Sequence, residues 1–177
     1  VGITGTPRTS VSSGTKIYVA GTFTAAGGNT ANNIAVYDTT TNTWSALSSG
    51  VNGTVNSLTL TSDGTLYAGG TFTNAGGTAI TNNIAKWNGS AWSAVPGMTS
   101  DGIHTLTSVG NNVYATPVTV GAISGVAKWN GTTWTGLGKT SGISGYNFFG
   151  LAVSADEQTV YLGGHFYALE GVSQTTH

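Results

Sequence analysis

The sequence predicts an all-β protein, a β-propeller built of four-stranded antiparallel blades, and three observations carry that prediction. A unit of about 47 to 50 residues recurs along the 177-residue chain. Within a unit, four short stretches of strand-like sequence are separated by tight-turn signals. No segment sustains apolar residues at helical spacing, so helix content should be near zero.

The repeat begins at Tyr18-Val-Ala-Gly-Thr-Phe-Thr24 and returns as Tyr67-Ala-Gly-Gly-Thr-Phe-Thr73, then as Tyr114-Ala-Thr-Pro-Val-Thr119 and Tyr161-Leu-Gly-Gly-His-Phe166. Downstream, Asn32-Asn-Ile-Ala-Val-Tyr-Asp38 matches Asn82-Asn-Ile-Ala-Lys-Trp-Asn88, and Gly125-Val-Ala-Lys-Trp-Asn130 is a shortened third copy. A second aromatic follows each, in Trp44-Ser-Ala-Leu47, Trp92-Ser-Ala-Val95 and Trp134-Thr-Gly-Leu137. In the second copy, Val55 to Thr61 alternates in polarity as a first strand, and Ser62-Asp-Gly64 turns it. Thr65 to Thr73 returns as a second strand, with Gly69 and Gly70 permitting close backbone approach. After the loop Asn74 to Thr81, Ile84 to Trp87 makes a third strand, Asn88-Gly-Ser90 a hairpin turn, and Ala91 to Val95 a fourth.

These motifs resemble known families. Val36-Tyr-Asp-Thr-Thr-Thr-Asn-Thr-Trp-Ser-Ala-Leu47 looks like the second half of a kelch repeat, the galactose-oxidase-like propeller pattern in which a Gly pair precedes a Tyr and then a Trp. The pair is Gly69-Gly70 and Gly163-Gly164, becomes Ala20-Gly21 in the first copy, and is replaced by Thr116-Pro117 in the third. The combined pattern also resembles repeats of large secreted bacterial proteins and the propeller region of the fungal cortical cell-polarity marker. The resemblance covers about residues 15 to 177 and implies a propeller fold. It implies no single activity, because propellers host many.

Composition narrows the function classes. Thr (31) and Gly (28) fill a third of the chain, yet 38% hydrophobic residues supply a core, which argues against disorder. The glycines belong to the strand pairs and Ala-Gly-Gly loops, and the threonines are expected on exposed strand faces. Only 6% of residues are charged and the net charge is -1, so no basic patch addresses nucleic acid. No apolar run is long enough to insert in a membrane, and no signal peptide is evident. Absent cysteine removes disulfides, thiolate metal sites and cysteine nucleophiles. A Thr, Ser, Asn and Gly surface points to an extracellular or cell-surface location, or to a virion surface.

Each chemistry-bearing residue has a structural reading beside a functional one. Tyr37, Trp87 and Trp129 recur at one repeat position and Trp44, Trp92 and Trp134 at another, as packing between blades requires, although such rings could also stack on sugars. Phe23, Phe72 and Phe166 are read as core. The sequons at Asn52, Asn88 and Asn130 all contain Asn-Gly, and turn chemistry accounts for them without a glycan. His104, His165 and His177 show no metal-ligand spacing, so no metal or cofactor is expected. Asp38, Asp63, Asp101, Asp156, Glu157 and Glu170 are scattered. Asp38 and Asp63 fall in turns, and nothing selects a carboxylate pair from Asp101 or Glu170. Copper radical oxidases need a cysteine, sialidases an arginine triad where only Arg8 is present, and no Gly-x-Ser-x-Gly occurs.

Topology places recognition more firmly than residue identity does. The connections Ala25 to Asn32, Ser48 to Thr54, Asn74 to Thr81, Pro96 to Gly102 and Gly138 to Tyr146 should share one face, opposite the short hairpins, and a partner is expected there. The expected blades are 1–47, 48–95, 96–138 and 139–177, the last cut after its inner strands. Residues 1 to 14 fit an inner strand poorly, because Pro7, Arg8 and Ser10 stand where other copies carry Leu58, Leu60, Leu106, Leu151 or Val153. About three and a half blades do not close a ring, so the chain beginning at Val1 is read as an excerpt, or its half blade is completed by another chain. The function expected is a non-catalytic extracellular module for adhesion, display or assembly. Its partner is a protein, a glycan, or further copies or blades of the same protein, and no catalytic, cofactor, metal or partner-contact residue is assigned. The alternative is a fragment of a secreted propeller glycan-active enzyme whose catalytic residues lie elsewhere.

Overall fold

The structure, a computed structural model, describes residues 2–80, 82–121, 123–141, 147–165 and 168–170, which contain strands and turns and no helix. In chain order the strands are β1 (Ile3–Ser13), β2 (Lys16–Ala26), β3 (Asn29–Thr30), β4 (Ile34–Asp38), β5 (Thr43–Ala46), β6 (Thr54–Leu60), β7 (Leu66–Thr71), β8 (Asn74–Ala75) and β9 (Thr78–Ala79). They continue as β10 (Ile84–Trp87), β11 (Trp92–Ala94), β12 (Thr105–Val109), β13 (Asn112–Val120), β14 (Ile123–Trp129), β15 (Trp134–Ser141), β16 (Asn147–Val153), β17 (Val160–His165) and β18 (Ala168–Glu170).

Three antiparallel sheets follow one another: β1-β2-β4-β5, β6-β7-β10-β11, and β12-β13-β14-β15 with β18 added outside β15. β16 and β17 form a two-stranded sheet. The innermost strands β1, β6, β12 and β16 lie next to one another in that order, which is the blade arrangement of a propeller. β18 was not anticipated: its pairing with Lys139–Ser141 makes strand of the start of the expected loop Gly138 to Tyr146. Residues 142–146 of that loop, with Phe166 and His177, lie outside the described residues.

β1 corrects the sequence reading of residues 1 to 14. It pairs with β2 from Ile3 to Ser13 despite its polar side chains. The reason is in the backbone, because Gly2-Ile-Thr-Gly-Thr6 repeats Gly50-Val-Asn-Gly-Thr54. Gly27 N donates to Gly2 O at 3.0 Å as Gly76 N donates to Gly50 O at 2.8 Å. Gly5 abuts Thr22 O and Phe23, as Gly53 abuts Thr71 O and Phe72. Main-chain pairing tolerates Arg8 and Ser10; what those residues forfeit is burial, and β1 is exposed along most of its length.

The core lies in the seams between blades. In the first seam, Ile34, Leu47 and Val51 meet Val55, Leu58, Trp87 and Trp92. In the second, Tyr67, Ile84 and Val95 meet Ile103, Leu106, Trp129 and Trp134. The glycine pair serves both a seam and a strand pairing. A Cβ at Gly69 would lie 2.5 Å from Ile103 Cγ2 of the next blade, and one at Gly70 would lie 1.9 Å from Thr54 O of the paired strand.

Short polar side chains bridge the inner strands across the second seam. Asn56 Nδ2 donates to Ile103 O at 2.9 Å, Leu106 N donates to Ser57 Oγ at 2.9 Å, and Thr59 Oγ1 and Ser108 Oγ are 2.8 Å apart. Threonine is therefore not confined to exposed faces, since Thr59, Thr61 and Thr116 are buried. Neighbouring blades are separate sheets, and hydroxyls and amides bond main-chain groups along the seam between them.

Candidate functional site

Four of the five connections expected to share a face, all but Gly138 to Tyr146, are joined to one another, and paired asparagines hold them. Asn33 and Asn83 adopt left-handed backbone conformations (φ 64° and 59°), which asparagine tolerates better than most residues. Asn33 Oδ1 accepts from Phe23 N at 3.0 Å and its Nδ2 donates to Val51 O at 2.9 Å, tying the strand two to three connection to the linker that leaves the blade. Asn32 Nδ2 adds a bond to Ser49 O. In the second blade, Asn82 Nδ2 donates to Val95 O and Asn83 Nδ2 to Ser100 O. Asn52 carries the stapling across the seam, its Oδ1 accepting from Thr73 N and Asn74 N and its Nδ2 donating to Thr73 Oγ1. The Asn-Asn-Ile-Ala motif marked the repeat in the sequence; its role as a staple needed the fold.

These connections are built structures rather than free loops. β8 and β9 form a small hairpin, Ala75 is buried, and a Cβ at Gly76 would lie 2.7 Å from Trp92 Cδ1. The rim left in solvent is polar and mostly uncharged, with Asn29, Thr30, Asn32, Ser48, Ser49, Thr78 and Asp101 exposed.

The repeated aromatics form cross-strand pairs. Tyr37 with Trp44, Trp87 with Trp92 and Trp129 with Trp134 have ring centroids 5.1, 5.3 and 5.5 Å apart at tilted angles. Trp87, Trp92, Trp129 and Trp134 are buried, as are Phe23 and Phe72. Tyr37 and Trp44 are half-buried and edge a groove of about 470 Å3 lined also by Gly27, Asn29, Asn42 and Thr43. Tyr37 Oη donates to Asn42 Oδ1 at 3.0 Å along that groove.

The sequon asparagines serve turns and connections. Asn88 Oδ1 accepts from Ser90 N, Ser90 Oγ and Ala91 N, and Asn130 Oδ1 accepts from Thr132 N, Thr132 Oγ1 and Thr133 N. Asp38, Asp63 and Asp156 each accept from their own turn. Hydrogen bonds from Thr40, from Thr61 and Thr65, and from Ser154 and Gln158 hold the three carboxyls below the usual carboxylate range. Asp101 stands exposed, and nothing is described of the Glu170 side chain. Burial lowers the pKa of His104. No group of three His, Cys, Asp or Glu residues that could hold a metal occurs among the described residues, and no helix there is long and apolar enough to cross a membrane.

One convergent cluster was missed in the sequence. Glu157, at the tip of the β16–β17 hairpin, reaches back to the third blade. Its carboxylate accepts from Asn112 Nδ2 at 2.8 and 3.0 Å and from Tyr114 Oη at 2.7 Å, and it pairs with Lys128 Nζ. Lys128 foremost, then Tyr114 and Asn112, hold Glu157 down at about 2, while burial and the carboxylate push the Tyr114 phenol up. Both groups are thereby kept in the protonation states they have at neutral pH. The cluster acts as a clamp between blades. Glu157 takes a positive φ (60°) in its hairpin, as Gly14, Gly64 and Gly110 do in the other three.

Antiparallel blades, apolar seams and stapled connections define a β-propeller repeat protein. Residues 9–159 match the Rax2 C-terminal beta propeller domain, and the chain belongs to that family. No curated protein matches the chain.

Proposed function

We propose that this chain is a non-catalytic propeller module whose partner surface is the face bearing the stapled connections. The observation that carries the reading is the stapling by Asn33, Asn52 and Asn83, which presents exposed hydroxyl and amide groups from fixed backbone. A preorganised rim loses little conformational entropy when a partner docks. Its chemistry suits hydrogen bonding to a protein backbone or to glycan hydroxyls rather than to phosphate. The non-catalytic reading is supported by Asp38, Asp63, Asp156 and Glu157, whose carboxyls are held below the usual range by their own turns or by the Glu157 clamp, whereas glycoside hydrolysis requires one protonated carboxyl. An extracellular or cell-surface location is supported by the low share of charged residues, 6%, in a chain rich in Thr, Ser, Asn and Gly. The kelch likeness is supported by the Gly69-Gly70 pair with Trp87 and Trp92 following on the outer strands.

The test is binding of the chain to a glycan array and to cell-surface protein extracts, with lysine placed at Thr30 or Thr78 on the stapled face and at Ser90 on the opposite face. The stapled-face variants should weaken binding at least about tenfold, the effect expected of a charge forced into a polar interface. Ser90→Lys should bind as the parent does. Turnover of an arrayed glycan, or loss of binding in Ser90→Lys alone, overturns the proposal.

A further inference from the structure

The three Asn-Gly pairs of the sequence sit in two different settings. Asn52 and Gly53 are tied down: Asn52 N donates to Asn74 O, its Nδ2 donates to Thr73 Oγ1, and its Oδ1 accepts from Thr73 N and Asn74 N. Gly53 is pressed against the paired strand, where a Cβ would lie 2.3 Å from Thr71 O. Asn88-Gly89 and Asn130-Gly131 instead stand in the β10–β11 and β14–β15 turns. All four of those residues are exposed, and a Cβ on either glycine would meet nothing within 4 Å.

Asparagine is a labile residue, and a following glycine leaves the attacking main-chain nitrogen unhindered. In that reaction the glycine nitrogen bonds to asparagine Cγ and gives up its proton, the Cγ–Nδ2 bond breaks, and ammonia leaves behind a cyclic succinimide. Water then opens the ring, at the new Cγ–N bond to give aspartate or at the main-chain carbonyl to give isoaspartate. Nothing is oxidised or reduced, and water is the co-reactant.

Two features of the turns suit this chemistry. The hydrogen bonds described at both side chains go to Oδ1, from Ser90 N, Ser90 Oγ and Ala91 N at Asn88 and from Thr132 N, Thr132 Oγ1 and Thr133 N at Asn130, at 2.8–3.0 Å. Such donors polarise Cγ for attack and then hold the negative charge that the oxygen takes on in the tetrahedral intermediate. The aspartate product also fits the repeat. Asp38 follows Tyr37 as Asn88 follows Trp87 and Asn130 follows Trp129, and its Oδ1 accepts from Thr40 N and Thr40 Oγ1 in the same manner.

We infer that Asn88 and Asn130 are sites of spontaneous deamidation in the folded chain and that Asn52 is spared. Each event adds one carboxylate to a chain whose net charge is -1. The inference does not depend on the partner surface proposed above.

The test uses the full chain, produced in bacteria so that the sequons carry no glycan, and incubated folded or in urea at mildly alkaline pH, which favours loss of the glycine proton. Peptide mass spectrometry follows each asparagine. Asn88 and Asn130 should convert in the folded chain. Asn52 should convert at least about tenfold more slowly there, because main-chain and side-chain hydrogen bonds must break first, and should match the other two in urea. Conversion of Asn52 at their pace in the folded chain, a lag of Asn52 that persists in urea, or retention of Asn88 and Asn130 in the folded chain while both convert in urea overturns the inference.

Discussion

Glu157 shows how one side chain can replace what the repeat otherwise takes from glycine. Its left-handed backbone is strained for a residue with a Cβ, and its carboxylate offsets that strain through Lys128, Tyr114 and Asn112. Replacing Glu157 with Gln should therefore cost about 1–2 kcal/mol in urea unfolding at pH 7, as expected when hydrogen bonds to a charged group are weakened. The pH dependence has a definite sign. The folded-state pKa of about 2 lies below the ordinary 4.5, so the clamp is complete above pH 4.5 and is lost as pH falls towards 2. Parent and Glu157→Gln stabilities should accordingly converge between pH 4.5 and pH 2, and a constant difference down to pH 2 would exclude the clamp. The glycine pair permits a second comparison. Gly70→Ala drives a Cβ into Thr54 O and should cost about 3 kcal/mol, the upper end for overpacking. Gly163→Ala meets nothing closer than Gly150 N at 3.9 Å and should stay within about 0.5 kcal/mol.

At the scale of elements, the connections matter as much as the strands. Asn33 combines a left-handed backbone with a side chain that bridges two segments, and two substitutions separate those roles. Asn33→Gly removes only the staple, whereas Asn33→Ala also strains the backbone. The alanine variant should be less stable than the glycine variant by about 1 kcal/mol in thermal or urea unfolding. Equal stabilities would mean that the conformation is dispensable there. The strands themselves were legible because their signals are local: Ile84 to Trp87 coincides with β10, and Ser62-Asp-Gly64 is the β6–β7 turn. β1 was underrated because inner strands were judged by apolar side chains, while its pairing is written in Gly2, Gly5 and Thr6. The connections carry only loop signals in the sequence, which does not reveal that Gly76 sits against the Trp92 indole.

At the scale of the molecule, stability should follow the seams, since repeat proteins gain from each neighbour in turn. The second blade has an apolar seam on both sides, whereas Tyr161 on the two-stranded sheet is 60% exposed. Amide hydrogen exchange should thus be slowest in β7 and β10 and fastest in β16 and β17. Uniform protection across the four inner strands would contradict a seam-based core. The aromatic ladder follows the same logic. Trp92 and Trp134 are buried in seams with the preceding blade, and Trp44 is half-buried beside a groove.

The sequence by itself determined the all-β class, the repeat period, the hairpin turns and the aromatic positions. These depend on local backbone preference and side-chain alternation, which a few neighbouring residues encode. Only the tertiary structure decided which tryptophans are covered, which asparagines tie separate connections together, and that Glu157 meets Asn112, Tyr114 and Lys128. Those outcomes depend on atoms brought together from a whole blade away, at distances that sequence spacing does not contain.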